Sequence, residues 1–162
     1  MADDIPQSHP RYRSLLARRL LTEAAADGLL AESALIAHGR GEAFDYLLGE
    51  RTIASARQAI NESAARLLTA ESPVLSVNGN TVALAADQML SCAAVLDCPI
   101  EVNIYYRTPE RMSKLNETLE ELREEQMLRA LAMAGATSGA TPPALAIATL
   151  WSALIARFFS AP

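Results

Sequence analysis

The chain has 162 residues, a formal net charge of −5 at pH 7 and 51% hydrophobic residues. This length and apolar fraction are enough for one domain with a sizeable core, and they exclude a largely disordered chain. The absence of a basic stripe argues against nucleic-acid binding, and two cysteines without metal-ligand spacing, Cys92 and Cys98, favour a reducing cytoplasm and no metal site.

Residues 1–72 form a predicted helical N-terminal segment. Four helices are expected, after Pro10, over Leu30–Ala37, over Glu42–Leu48 and after Thr52, which is a suitable cap. Gly28 is placed to end the first helix. The triplet Gly39-Arg40-Gly41 is expected to break the helical pattern between the second and third helices.

From residue 73 the hydrophobic pattern changes period. Val74–Val77 is a short apolar run that ends at turn residues, as is typical of a buried strand. A helix over Thr81–Leu96, a second strand over Ile100–Tyr105 and a helix over Pro109–Met133 are predicted to follow. Two strands joined by a helix favour a parallel arrangement, so residues 73–133 are predicted to form a partial Rossmann-like unit.

The predicted fold class is therefore α/β, with an atypical helical C-terminal tail over residues 134–162. Gly135–Pro143 is a linker rich in Gly, Ala, Thr and Pro. Ala144–Phe159 is apolar, but it is shorter than the roughly 20 residues that cross a membrane and it contains Arg157. We expect a buried or interfacial helix there and no association with a membrane.

Three clusters of residues have the chemistry to bind an anion. The first is His38 with Gly39-Arg40-Gly41, because glycines permit close backbone approach and an arginine fork matches phosphate oxygens. The second is Ser76–Thr81, which contains Asn78–Asn80 at a predicted helix start. The third is Tyr105–Arg111, after the second strand, in which Arg107 is expected to face the same crevice as Asn78. The carboxyl ends of parallel strands meet at one edge, so the last two are expected to share a crevice.

Each of these patterns also fits a plainer interpretation. Gly39-Arg40-Gly41 suits a tight turn with an exposed arginine, Asn78–Asn80 suits an ordinary strand-to-helix turn, and Arg107 suits a capped helix start. Glu42 and Asp45 are three residues apart, and their more natural use is ion pairing with arginine. The residues alone identify no general base.

Several longer strings of the chain are distinctive. They are Ile5–Tyr12, Leu35–Leu47 continued by Gly49–Thr52, Ser76–Asn80 and Tyr106–Arg111. Read together, in this order and spacing, they resemble the archaeal phosphopantothenate synthetase (4-phosphopantoate–β-alanine ligase) family. The resemblance covers the N-terminal three quarters of the chain and fades near Leu119–Arg123.

The resemblance implies an enzyme, an ATP-dependent ligase of coenzyme A biosynthesis that condenses 4-phosphopantoate with β-alanine to 4′-phosphopantothenate. The acid would be activated as an acyl-adenylate, with pyrophosphate and then AMP released, and ATP would be used with magnesium by a cytoplasmic homodimer. Residue matching implies that Arg18 and Arg40 contact ATP. It offers six substrate-binding candidates: His38, Gly39, Asn78, Gly79, Asn80 and Arg107.

The part of the chain that follows Arg123 departs from the family's pattern. We hypothesise that a frameshift or truncation replaced the second half, which predicts a chain of doubtful ligase activity. One alternative is a non-catalytic phosphometabolite-binding or dimerisation module. Another is a structural helical partner with an apolar C-terminal anchor.

Overall fold

The computed structural model describes residues 5–137, and these form an α/β architecture with a helical N-terminal part, as predicted. The elements in chain order are α1 (Tyr12–Ala26), α2 (Glu32–Leu47), α3 (Ala54–Thr69), β1 (Leu75–Val77), α4 (Gly79–Leu96), β2 (Ile100–Val102) and α5 (Pro109–Thr137). Within the described range, no helix combines the length and the apolar character that crossing a membrane requires.

The two strands pair in parallel, with Leu75 opposite Ile100 and Val77 opposite Val102, and α4 connects them. The predicted strand–helix–strand–helix order is therefore confirmed. The second strand is shorter than the predicted Ile100–Tyr105. The last hydrogen bond between the strands is the one that the Asn103 N–H donates to the carbonyl of Val77, at 2.8 Å. Because β1 ends at Val77, residues beyond Asn103 have no backbone partner in the sheet.

Two clusters of buried side chains hold these elements together. The main core lies between the sheet, α4 and α5, and contains Val77, Val82, Ala86, Leu115 and Leu119. The second cluster contains Leu21, Ala24 and Leu30, and it packs against Ala83 of α4. Leu29 contacts both clusters, so the connection between α1 and α2 is attached to the first turns of α4.

The predicted break at Gly39-Arg40-Gly41 is wrong, because α2 is one continuous helix. A glycine inside a helix lowers its stability by only about 0.5–1 kcal/mol relative to alanine, and packing elsewhere overrides that penalty. The helix ends instead just before Gly49, which has a φ of +81°. Gly28 has the same φ and ends α1 as predicted.

Two further boundaries differ from the prediction. The fourth helix begins at Gly79 rather than Thr81, because Asn78 accepts a hydrogen bond from the Thr81 N–H at 3.0 Å and caps the helix. Thr52 does not cap α3. Ile53 occupies the cap position and makes no side-chain capping bond.

The last helix runs beyond the predicted Met133 to Thr137. Residues 135–137, the beginning of the predicted linker Gly135–Pro143, are therefore helical. The remainder of that linker and the apolar segment Ala144–Phe159 lie outside the described residues.

The third helix is the least integrated of the described elements. It contains no buried residue, and it makes no extensive contact with any other described helix or strand. Its apolar face includes Ile60, which is 42% exposed, and Leu68, which is 67% exposed. An amphipathic helix of this kind has an apolar face without a partner in the described part of the chain.

Candidate functional site

A pocket of about 220 Å³ lies where the two strands end, and we call it the strand-end pocket. Asn78–Asn80 comes from the end of β1, Ile104–Tyr106 follows β2, and Arg111 lies in the first turn of α5. Ser33, Ala34 and Ala37 of α2, with Leu29–Ala31, form the opposite wall. The predicted crevice at the strand ends is therefore present.

The first turn of α4 gives the pocket its main-chain donors. Asn78 Oδ1 accepts from both the N–H and the Oγ1 of Thr81, at 3.0 and 3.1 Å, so its carboxamide oxygen is used for capping. The N–H groups of Gly79 and Asn80 stand at the start of a helix, where no intrahelical acceptor exists. The positive end of the helix dipole lies at the same place.

Gly79 has a structural reason to be glycine. A Cβ at this position would stand 2.7 Å from Leu30 Cδ2 and 2.8 Å from the Leu29 carbonyl oxygen. The absence of a side chain therefore lets the start of α4 pack directly on the connection between α1 and α2. This packing brings α2 close enough to form the opposite wall of the pocket.

Asn80 connects α4 to α2. Its Nδ2 donates to the main-chain oxygen of Ala34 at 3.2 Å. Its Oδ1 is buried and has no hydrogen-bond partner among the described residues. A buried acceptor without a donor is unfavourable by about 1–3 kcal/mol.

Arg111 provides the positive charge of the strand-end pocket. Its Nη1 donates to the carbonyl of Tyr106 at 2.5 Å, which fixes the guanidinium beside the end of β2. Its Nε is buried and has no partner among the described residues. Arg107, the predicted arginine, is exposed and does not line the pocket.

The sequence contains a signal for Arg111 in addition to its position after the second strand. Thr108 Oγ1 accepts from the N–H of Arg111 at 3.3 Å, so residue 111 occupies the third position of the helix that Thr108 caps. A side chain in the first turn of a helix that follows a strand points back toward the edge of the sheet. Arg107 precedes the cap and projects into solvent.

A second polar group joins α1 to α2, and we call it the Glu42 cluster. Glu42 pairs with Arg11 at 2.6 Å and with Arg18 at 3.5 Å, and it also accepts a hydrogen bond from Ser14. Arg11 makes a further ion pair with Glu50 at 3.2 Å. The expectation that Glu42 pairs with arginine is confirmed.

The electrostatics of the Glu42 cluster follow from these contacts. The hydrogen bond from Ser14, assisted by the nearby guanidinium groups of Arg11 and Arg18, lowers the pKa of Glu42 below its ordinary value. The hydrogen bond to Glu50 is the main cause that raises the pKa of Arg11. The Glu42 side chain is only 15% exposed, so its ion pairs are partly shielded from solvent.

The remaining predicted residues lie outside the strand-end pocket. Arg18 is 56% exposed and contacts Glu42. Arg40 is exposed, and within residues 5–137 its guanidinium makes no hydrogen bond or ion pair. His38 is half-buried, with an Nε2 that lacks a partner among the described residues. Gly39 is part of α2, and a Cβ there would meet nothing within 4 Å.

Arg40 therefore does not line the pocket at the Asn78–Asn80 turn within one chain. The reason is the continuity of α2. Asn80 contacts Ala34, and Arg40 is six residues further along the same helix, or about 9 Å along its axis. A turn at Gly39-Arg40-Gly41 would have allowed the arginine to fold back, but a straight helix does not.

A larger groove of about 800 Å³ lies along β2, between the C-terminal half of α4 and α5. Its lining is mainly apolar and includes Cys98, Ile100 and Leu119. The residues that the structure describes contain no group of three or more His, Cys, Asp or Glu side chains that could hold a metal ion. The polar chemistry of the described chain is thus concentrated in the strand-end pocket and the Glu42 cluster.

Comparison with known proteins gives a consistent result. Residues 55–139 match the family described as phosphopantothenate/pantothenate synthetase. This match continues beyond the Leu119–Arg123 region where the resemblance of the strings fades, so α5 belongs to the matched region throughout.

Three curated relatives carry the name 4-phosphopantoate–β-alanine ligase. The protein of Thermococcus onnurineus (strain NA1) is 50% identical over 115 residues, which are 71% of this chain and 44% of the relative. The protein of Methanospirillum hungatei JF-1 is 49% identical, over 72% of this chain and 48% of the relative. The protein of Methanosarcina mazei is 48% identical, over 72% of this chain and 46% of the relative. The chain spans less than half the length of these relatives.

Proposed function

The chain belongs to the phosphopantothenate/pantothenate synthetase family, and from this premise we propose that it acts in the ATP-dependent ligation of 4-phosphopantoate to β-alanine. The carboxylate of 4-phosphopantoate attacks the α-phosphorus of ATP, which forms an acyl-adenylate and releases pyrophosphate. The amine of β-alanine then attacks the acyl carbon, displaces AMP and loses a proton. The product, 4′-phosphopantothenate, serves coenzyme A biosynthesis in the cytoplasm.

The observation that carries this proposal is the composition of the strand-end pocket. It combines the free N–H groups of Gly79 and Asn80, the guanidinium of Arg111 and an apolar wall from α2. Its volume of about 220 Å³ lies below the roughly 300–1,000 Å³ of pockets that enclose larger ligands. The pocket therefore suits a small phosphorylated acid better than a nucleotide.

We assign ATP to Arg18 of α1 and Arg40 of α2, the two exposed arginines that residue matching singled out. Arg18 is held loosely by Glu42 at 3.5 Å, and the phosphates of ATP can take over this contact. Positive charge there would stabilise the negative charge that grows on pyrophosphate as it leaves. His38 and Gly39 lie on the same helix between these groups and the pocket.

Magnesium enters this proposal only as a companion of ATP. The described residues offer no cluster of carboxylates or histidines suited to a magnesium ion, so we assign no step to a protein-bound metal. Phosphate oxygens of the nucleotide are the ligands that magnesium uses in many ATP-dependent enzymes.

The proposal includes a homodimer. The apolar face of α3 has no partner among the described residues, and the C-terminal half of α2 exposes Phe44 and Leu47. Exposed apolar faces of this kind are candidate interaction sites in soluble proteins. A second copy that covers α3 would bury Ile60 and Leu68.

The experiment that tests the function is a calorimetric titration of the full chain with ATP, with and without 4-phosphopantoate. We expect both ligands to bind, and Arg40→Ala to weaken ATP binding by about tenfold or more. Arg57→Ala, which removes an exposed arginine from α3, is the matched control and should leave the affinity unchanged. Absence of binding for both ligands would contradict the proposal.

A second measurement distinguishes the ligase from the alternative module. Formation of AMP that requires ATP and 4-phosphopantoate, with 4′-phosphopantothenate formed when β-alanine is added, supports the ligase. Binding of 4-phosphopantoate without any AMP would instead favour the non-catalytic phosphometabolite-binding module.

A further inference from the structure

We propose that Arg111, and not Arg107, binds the phosphate group of the acid substrate in the strand-end pocket and sets the preference for the phosphorylated acid. This inference rests on the proposed function, because it takes 4-phosphopantoate as the ligand of that pocket. It adds a specificity-determining residue that the sequence strings did not single out.

The position of Arg111 is fixed before any ligand arrives. Its Nη1 donates to the Tyr106 carbonyl at 2.5 Å, and its own N–H is held by Thr108 Oγ1 at 3.3 Å. These two bonds leave the guanidinium at the pocket wall with a buried Nε that has no partner among the described residues. An arginine fixed in this way loses little side-chain entropy when it binds an anion.

The opposite side of the pocket complements the same anion. The free N–H groups of Gly79 and Asn80 begin α4, and the pocket is lined by these residues together with Arg111. A phosphate carries between one and two negative charges at neutral pH and three acceptor oxygens, so it can accept from a guanidinium and from main-chain donors together. A single carboxylate has fewer acceptor sites and less charge.

The remaining groups of the pocket match the rest of the substrate. Asn80 lines the pocket with a carboxamide group, and 4-phosphopantoate carries one free hydroxyl, which is a suitable partner for such a group. Leu30, Ala37 and Ile104 form an apolar wall that suits its dimethyl carbon. With the phosphate at Arg111, the carboxylate is left free to approach the nucleotide, as adenylation requires.

Arg107 fails on the same criteria. It lies outside the pocket lining and it is exposed. An exposed guanidinium interacts weakly with an anion, because water and salt screen the charge. The two arginines therefore form a matched pair for an experiment, since they are four residues apart and differ in placement.

The test measures binding of two acids, 4-phosphopantoate and unphosphorylated pantoate, to the full chain by calorimetry. The unsubstituted chain is expected to prefer 4-phosphopantoate. Arg111→Gln is expected to weaken 4-phosphopantoate binding by about 10- to 100-fold and to affect pantoate little, so the preference collapses. Arg111→Lys keeps the charge and a donor for the Tyr106 carbonyl but loses the planar fork. Its preference for 4-phosphopantoate should lie between those of the unsubstituted chain and Arg111→Gln. Arg107→Gln should bind as the unsubstituted chain does.

Each other outcome is decisive. If Arg111→Gln and Arg111→Lys keep the full preference, or if Arg107→Gln loses it, the assignment to Arg111 is wrong while the proposed function stands. If Arg111→Gln weakens the binding of both acids equally, the residue has a structural role only and the assignment is again wrong. If the unsubstituted chain binds neither acid, the proposed function and this inference fail together.

Discussion

The side-chain amide of Asn80 donates to the main-chain oxygen of Ala34 at 3.2 Å, across 46 residues of sequence. This bond joins the start of α4 to the first turn of α2 and closes one side of the strand-end pocket. The pocket therefore depends on contacts between the helical N-terminal part and the α/β part, and neither part forms it alone.

Removal of this bond should be measurable. Asn80→Ala is expected to lower the free energy of unfolding by about 1 kcal/mol, because one partly buried hydrogen bond is lost. Urea unfolding followed by circular dichroism measures the change. Asn61→Ala on exposed α3 is the control, and it should be neutral or slightly stabilising because alanine is the better helix former. Equal effects of the two substitutions would show that the Asn80–Ala34 bond contributes nothing.

Substitution by alanine is expected to change the stability in opposite directions at two glycines, Gly79 and Gly41. Gly79→Ala is expected to destabilise the protein by about 1–3 kcal/mol, because the new Cβ would stand 2.8 Å from a main-chain oxygen. Gly41→Ala is expected to stabilise it by about 0.5–1 kcal/mol, because a Cβ there meets nothing within 4 Å in a continuous helix. Thermal unfolding of both variants tests this. A stabilised Gly79→Ala variant would contradict the close packing at the start of α4.

The Glu42 cluster predicts a pH-dependent contribution to stability. The pKa of Glu42 is lowered from 4.5 by Ser14 and the arginines, so its contribution is fully present above that value and is lost as the pH falls through the lowered pKa of the folded state. At pH 7, Glu42→Gln should therefore cost about 1–2 kcal/mol, and the difference from the unsubstituted chain should shrink in acid.

Urea unfolding at a series of pH values between about 3 and 7 measures this difference. Glu62→Gln is the control, since Glu62 forms an exposed ion pair with Arg66 within α3 and should contribute about 0.5 kcal/mol or less. A constant difference across the whole pH range would mean that ionisation of Glu42 does not stabilise the fold.

The unpartnered face of α3 predicts self-association. Ile60→Glu places a charge on this face and should raise the dissociation constant of the dimer by about tenfold or more. Gln58→Glu adds the same charge on the opposite side of the helix and should leave the association intact. Analytical ultracentrifugation measures both variants. A chain that is monomeric without any substitution would contradict the dimer.

The sequence predicted the order of the elements from residue 73 onward, because the change from period 3.6 to short apolar runs is a local signal. It did not predict that α2 continues through Gly39-Arg40-Gly41. The weak helix propensity of glycine is a local penalty, and α2 is held by contacts on both sides of the triplet, Asn80 with Ala34 and Arg11 with Glu42.

Part of the site was also predicted from the sequence. Both strand ends were expected at one edge, and Asn78–Asn80 does line the pocket there. The predicted helix start at Pro109 places Arg111 in the first turn of α5 and Arg107 before it, and this local signal favours Arg111 as the pocket residue. The pairing of Arg11 with Glu42, 31 residues apart, was not assigned from local pattern, although ion pairing of Glu42 with arginine was expected.

The most direct test of the central claim is a titration of the isotope-labelled full chain with 4-phosphopantoate, followed by the amide proton and nitrogen signals in NMR spectra. If the strand-end pocket binds the phosphorylated acid, the Gly79 and Asn80 amide signals should shift most, and the Cys98 and Ile100 signals in the groove along β2 should stay in place. Unchanged Gly79 and Asn80 signals at saturating ligand, or shifts confined to the groove, would contradict the account.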